Sequence, residues 1–185
     1  MAYPISKFWI YPFCRLLIRN VKGMENIPRD KRFIVVANHE KLIDPFYVLY
    51  LLLRKLNKKI HFIASPRWWF LGNTICRKWA GCIPLFNSKK AYLEAKELLK
   101  QNEIIGIFPE GNLYKKVRIP KSGALRLSIE TNTPILPIGI KSSYFPFSSK
   151  VNIGKLIYPK KGTRDIEEQT FKIMDYVYKL RNGSA

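Results

Sequence analysis

The sequence predicts an α/β fold, with a mixed, largely parallel sheet flanked by helices and preceded by an N-terminal interfacial helical segment. Three observations carry this. Short apolar runs (Phe33 to Ala37, Ile104 to Phe108, Pro134 to Ile140) alternate with longer amphipathic stretches, the order that builds parallel strands joined by helices. The chain has 185 residues, the length of one domain able to cover such a sheet on both sides. No linker, internal repeat or low-complexity segment interrupts it.

Residues 1–20 are aromatic and apolar with cations interspersed. They fall short of the roughly 20 uninterrupted apolar residues that span a bilayer, and they lack the small-residue cleavage site of a secretory signal. The first reading is a membrane-interface helix bent at Pro12, with Trp9 and Phe13 in contact with lipid. The second is a helix packed on the domain's own core. Residues 21–182 then form the main domain.

Within it, a strand is expected near 32–37, a helix over 45–56 and a strand over 60–64. An aromatic helix over 67–79, a short strand over 81–85 and a helix over 88–101 follow. Then come a strand over 104–108, a helix over 121–131, strands over 134–140 and 151–157, and a final helix over 165–181.

The charge balance limits the partners. With 33 Lys plus Arg against 13 Asp plus Glu, the net charge is +20, which calls for an anionic partner. No acid lies between Asp44 and Glu94, while that stretch carries nine basic residues together with Trp68, Trp69, Phe70, Trp79 and Phe86. Basic residues beside tryptophans suit a headgroup layer, where amphipathic rings sit at the interface and Lys or Arg meets anionic lipid. Trp68 and Trp69 are therefore further candidate membrane contacts. A nucleic-acid surface would use the same residues by stacking.

Cys14, Cys76 and Cys82 are odd in number and lack metal-ligand spacing, so no metal site and no disulfide framework are expected, and a reducing, cytosolic setting is favoured. His61 opens a strand-like run without an acidic neighbour in sequence and reads as structural.

Chemistry enters at Asn38-His39-Glu40-Lys41-Leu42-Ile43-Asp44-Pro45, where an apolar strand ends. Asp44-Pro45 reads as a helix start, with Asp capping the amides and Pro at the first helical position. His39 leaves the strand and Asp44 enters the helix, so the turn between them can return the carboxylate to the imidazole. That pairing fixes the tautomer and stabilises the imidazolium formed when a hydroxyl gives up its proton. A capping Asp and an unrelated edge histidine would leave the same pattern. A second apolar strand ends in Phe108-Pro109-Glu110-Gly111, which again sets a carboxylate, and a glycine that permits close ligand approach, at a strand end.

With these blocks in order, and the proline-containing strand Pro134 to Ile140 after them, the chain resembles the glycerolipid acyltransferase family from about Val21 to Ile157. Asn38, His39 and Asp44 match its N-H-x4-D signature, and Phe108 to Gly111 match its F-P-E-G block. The resemblance implies transfer of an acyl chain from coenzyme A or acyl carrier protein to a lipid hydroxyl, with no permanently bound cofactor. His39 would be the base and Asp44 its orienting partner, with no acyl-enzyme. Asn38, Glu110 and Gly111 would line the acceptor side, Glu110 either touching substrate or bracing its loop.

Ser65, Asn87 and Leu113 are neutral where the family tends to be basic. Lys121 and Arg118 are then the cations expected to hold an acceptor phosphate, the other reading being that both simply meet the membrane. The acceptor implied is a lysophospholipid, 1-acylglycerol-3-phosphate first, at the cytoplasmic face of a membrane. An acceptor without a phosphate monoester, a catalytically idle membrane-binding relative and a basic nucleic-acid binder are the alternatives. The last gives no reason for the two motif blocks.

Overall fold

β2 (Ile34–Ala37) is buried along its whole length, and the rest of the molecule is arranged around it. The computed structural model describes residues 7–66, 72–111, 119–159 and 165–184. The elements are α1 (Lys7–Leu17), β1 (Ile18–Lys22), β2, α2 (Asp44–Lys55), β3 (Ile60–Ala64), β4 (Ile83–Pro84), α3 (Ser88–Lys100) and β5 (Ile104–Ile107). α4 (Gly123–Thr131), β6 (Ile135–Lys141), β7 (Ser149–Ile153) and α5 (Ile166–Asn182) complete it.

The strands form one seven-stranded sheet in the order β1-β7-β6-β2-β5-β3-β4. β6, β2, β5, β3 and β4 are mutually parallel, whereas β7 runs antiparallel to β6 and carries β1 parallel to itself. The expected mixed, largely parallel sheet is the one observed.

Alternation along β2 sorts the core into two layers, because successive side chains point to opposite faces. Val35 and Ala37 face Tyr47, Val48, Leu51 and Leu52 of α2 and Ile10, Cys14 and Leu17 of α1. Ile34 and Val36 face Ala91, Ala95 and Leu99 of α3, Leu125 and Leu127 of α4 and Ile173, Met174 and Val177 of α5. Two glycines permit close approaches within these layers. A Cβ on Gly106 would come within 2.5 Å of the Phe62 ring, so its absence lets that ring lie across β5. A Cβ on Gly139 would lie 2.1 Å from the amide nitrogen of Arg181, so α5 rests directly on the backbone of β6.

The N-terminal expectations need correction. Ile18–Lys22 is an edge strand, so a boundary at residue 20 cuts through it. The segment is polar, with Arg19 and Asn20 exposed, and charged edge strands lack the apolar run that announces a buried one. The preceding helix has one packed face and one open face. Ile10, Cys14 and Leu17 of α1 are buried, while Phe8, Trp9, Phe13 and Leu16 are exposed.

Smaller differences follow local chemistry. Thr74–Trp79 is a π-helical turn, and 67–71 of the expected aromatic helix, with Trp68 and Trp69, lie outside the described residues. β7 stops at Ile153, and only an isolated bridge joins Ile157 to Ile135. Among the described residues no helix is long and apolar enough to cross a membrane.

Candidate active site

The carboxyl ends of β2, β5 and β6 open onto one edge of the sheet, and each is followed by a loop that contributes to the site. After β2, Asp44 turns back on its own loop. Its Oδ2 accepts from the backbone amides of Glu40 at 2.6 Å and Lys41 at 2.8 Å and lies 3.1 Å from His39 Nδ1. The expected cap is therefore not made. Ile43 is the N-cap residue of α2, without a side-chain cap bond, and Asp44 holds the amides upstream of it. Pro45 does sit in the first turn, where its missing N–H leaves no bond unmade.

Asp44 is fully buried and His39 is 17% exposed. With Nδ1 on the carboxylate, the hydrogen-bond network assigns the proton to Nδ1 and leaves Nε2 as the basic nitrogen.

After β5, Phe108 stacks on the His39 ring with centroids 4.3 Å apart, and Phe62 stacks on Phe108 at 5.7 Å. The two motif blocks thus meet ring on ring. Gly111 takes φ +67°, a left-handed conformation suited to glycine. A Cβ there would lie 3.6 Å from Lys121 Nζ. Lys121 also donates its backbone amide to the Pro109 carbonyl at 3.0 Å, its side chain is exposed, and its ammonium has no ion-pair partner among the described residues. Arg118 lies outside the described residues, as does Leu113.

Asn38, expected at the substrate, is fully buried. Its amide donates to the Ile140 carbonyl at 2.8 Å and accepts from the Ile140 amide at 2.7 Å, locking the loop to β6. Glu110 is 4% exposed and accepts from the Tyr178 hydroxyl at 2.7 Å, which favours the bracing role over substrate contact. Asn87 is the N-cap of α3, accepting from the Lys90 amide at 3.0 Å.

Three residues that sequence reasoning missed complete the frame. Glu40 pairs with Arg181 and accepts from the Ser142 amide at 3.3 Å. Tyr178 and Arg181, one turn apart on α5, thereby hold both motif loops. Their only signal in sequence was an i, i+3 spacing on an amphipathic helix, which says nothing about partners far away in the chain. In Tyr178→Phe the buried carboxylate of Glu110 loses a donor. The expected cost is about 1–3 kcal/mol, seen as a lower urea midpoint at unchanged slope; a parental midpoint would refute the brace.

Neither of two thiols offers a competing nucleophile. Burial pushes the Cys14 thiol up to about 12 and the Cys82 thiol up to about 11, so both stay protonated near neutrality. His61 bonds the Gly81 carbonyl at 2.8 Å and lies 3.6 Å from Glu103, consistent with its structural reading. Among the described residues no group of three or more His, Cys, Asp or Glu side chains is placed to hold a metal ion.

The Acyltransferase family model matches residues 18–141, a span that contains His39, Asp44 and the Phe108 to Gly111 block. This chain belongs to the acyltransferase family. A 1-acyl-sn-glycerol-3-phosphate acyltransferase of Borreliella burgdorferi is 26% identical over 149 residues, covering 75% of this chain and 58% of that protein. The alpha 1-acyl-sn-glycerol-3-phosphate acyltransferase of Mus musculus is 28% identical over 139 residues, covering 70% and 47%. The crystal structure of the 1-acyl-sn-glycerophosphate (LPA) acyltransferase PlsC from Thermotoga maritima superposes with a TM-score of 0.72 at 26% identity, covering 95% of this chain and 76% of that one. This acyltransferase-family chain thus spans about half the length of these two curated relatives. α5, which supplies Tyr178 and Arg181, lies beyond the matched segment.

Proposed function

We propose that this chain moves a fatty acyl group from an acyl thioester to a hydroxyl of a lysophospholipid, 1-acylglycerol-3-phosphate first, making phosphatidic acid for phospholipid synthesis. The observation that carries the reading is the His39–Asp44 pair stacked against Phe108 at the mouth of the sheet. His39 Nε2 takes the hydroxyl proton as the oxygen attacks the thioester carbonyl, and Asp44 favours the imidazolium that forms. The tetrahedral species collapses to the ester, and the proton passes to the departing thiolate. Coenzyme A or acyl carrier protein supplies the thioester, and no permanently bound cofactor takes part.

The names of the relatives support a phosphate-bearing acceptor, and Lys121 beside Gly111 supports a cation to meet it. Arg118 is the second clamp in this reading. A phosphate dianion facing them gains charge-assisted hydrogen bonds from two cations, stronger than those neutral Asn87 could supply.

The enzyme works at the cytoplasmic face of a membrane. Phe8, Trp9, Phe13 and Leu16 on the outer face of α1 meet the headgroup layer, and the basic surface meets anionic lipid.

Comparing lysophosphatidic acid, monoacylglycerol and lyso-phosphodiesters as acceptors tests the reading. The parent should prefer lysophosphatidic acid. Lys121→Ala should raise its acceptor KM about tenfold, the loss of one charge-assisted bond of about 1.5 kcal/mol. A parent that prefers monoacylglycerol, or a Lys121→Ala enzyme with unchanged acceptor KM and turnover, would sink the phosphate clamp.

A further inference from the structure

The loop between β6 and β7 exposes aromatic rings where a water-facing turn would carry polar ones. Tyr144 is 56% exposed, Phe145 77% and Phe147 61%, and Pro146 between them is exposed as well. Phe147 takes φ +52°, a left-handed conformation that bulky residues adopt at a cost of order 1–3 kcal/mol. Folding alone gives no reason to hold a phenyl ring outward in a strained conformation.

The tip is not loose. The buried Tyr47 hydroxyl meets Ser149 Oγ at 2.9 Å and donates to the Ser143 carbonyl at 3.1 Å, and Ser149 Oγ accepts from the Ser143 amide at 2.9 Å. Ser143 Oγ in turn accepts from the Phe145 amide at 3.1 Å.

Its position is as informative as its composition. The tip leaves the same sheet edge as His39, and the Ser142 amide, at its root, donates to Glu40. The Phe147 amide donates to the Leu16 carbonyl at 2.8 Å, which joins the tip to α1. On the side of the catalytic loop, the Lys41 ammonium sits 4.7 Å from the Tyr144 ring centroid, and Leu42 next to it is 42% exposed. The apolar rim therefore runs from the exposed face of α1 through the tip to the loop that carries His39.

Its charge fits one kind of partner. No acid lies between Glu130 and Asp165, and the exposed Lys141 and Lys150 flank the tip. Aromatic rings at the centre and lysines at the border match a bilayer with anionic headgroups, where rings enter the acyl boundary and ammonium groups stay with phosphate. A protein partner would not call for a border of uniform sign.

We infer that Tyr144-Phe145-Pro146-Phe147 is a second membrane-inserting element, which seats the mouth of the active site on an anionic bilayer. The inference rests on the membrane reading of α1 given above. With both elements on the rim that leads to the catalytic loop, an acceptor reaches His39 from the lipid layer without crossing water.

The test uses the whole chain with vesicles of phosphatidylcholine and phosphatidylglycerol in equal parts. Phe145→Ser combined with Phe147→Gly removes both rings, and glycine accepts the positive φ without strain. Trp9→Ser combined with Phe13→Ser reports on α1 separately. Parent binding should weaken as salt rises, because exposed charges are screened over about 8 Å at physiological ionic strength.

The tip variant should partition at least about tenfold less, with turnover of a short-chain, water-soluble lysophosphatidic acid at the parental rate. Parental partitioning of the tip variant, with the α1 variant weakened, overturns the tip and leaves the α1 reading standing. A parent that ignores the vesicles overturns both. Turnover lost on the soluble acceptor as well would make the tip part of the catalytic fabric and overturn its role as an anchor.

Discussion

His39→Ala should lower acyl transfer by about 10²-fold or more, the usual contribution of a positioned general base, while the fold survives almost unchanged. The geometry explains both halves. In the proposed mechanism His39 supplies the nitrogen that takes the hydroxyl proton, and its ring is held between Asp44 Oδ2 and Phe108. Removing the ring forfeits one stacking contact worth about 0.5–1.5 kcal/mol. Asp44 keeps the Glu40 and Lys41 amides, so the loop stays folded. The melting temperature should move by only a few degrees, at about 2–4 °C per kcal/mol for a chain of this size.

Asp44→Asn is the companion experiment. An asparagine oxygen in the Oδ2 position can accept the same two amides, so the substitution chiefly removes the charge that stabilises the imidazolium. Turnover should fall between that of the parent and that of His39→Ala. Release of free thiol by His39→Ala at the parental, acceptor-dependent rate would show that the base lies elsewhere.

Gly139→Ala should be the most damaging conservative change in the sheet. The added methyl would meet the Arg181 amide nitrogen at 2.1 Å and the Leu180 carbonyl carbon at 2.6 Å. Both are backbone atoms, so no rotamer change relieves the clash and α5 must lift. Overpacking of this kind costs up to about 3 kcal/mol, equal to roughly 6–12 °C in melting temperature at this chain length. Transfer should fall with it, because the lifted helix carries Tyr178 and Arg181 away from Glu110 and Glu40. Gly123→Ala is the control: a Cβ there meets nothing within 4 Å, and the change should be neutral or stabilise α4 by a few tenths to about 1 kcal/mol. Equal melting of the two variants would contradict the direct seating of α5 on β6.

Where the chemistry is local, the sequence spoke clearly. Ile34 to Ala37 and Ile104 to Ile107 are apolar runs whose burial on both faces announces central parallel strands, and the five-residue interval from His39 to Asp44 is short enough for one turn to close. The same local view misjudged Asp44, because a carboxylate at a helix start can fold back onto upstream amides as readily as it caps downstream ones. Ile18–Lys22 was illegible for a different reason: an edge strand is defined by the neighbour it pairs with, here β7, and its residues need not be apolar. The motif blocks set Asn38 on the acceptor side and leave Glu110 either touching substrate or bracing its loop, without deciding between the two. Their bonds to Ile140 and Tyr178 span 102 and 68 residues, which no local pattern encodes.

The clamp from α5 also bears on the order in which the site comes into being. During synthesis His39, Asp44 and Glu110 emerge well before Tyr178 and Arg181, and domains fold as units when their last interacting segment is available. A nascent chain halted after β7 would carry both motif blocks with Glu40 and Glu110 lacking their α5 partners. On the proposed reading, the two motif loops would therefore take up their working arrangement late and abruptly, when α5 docks, and acyl transfer would not precede that step.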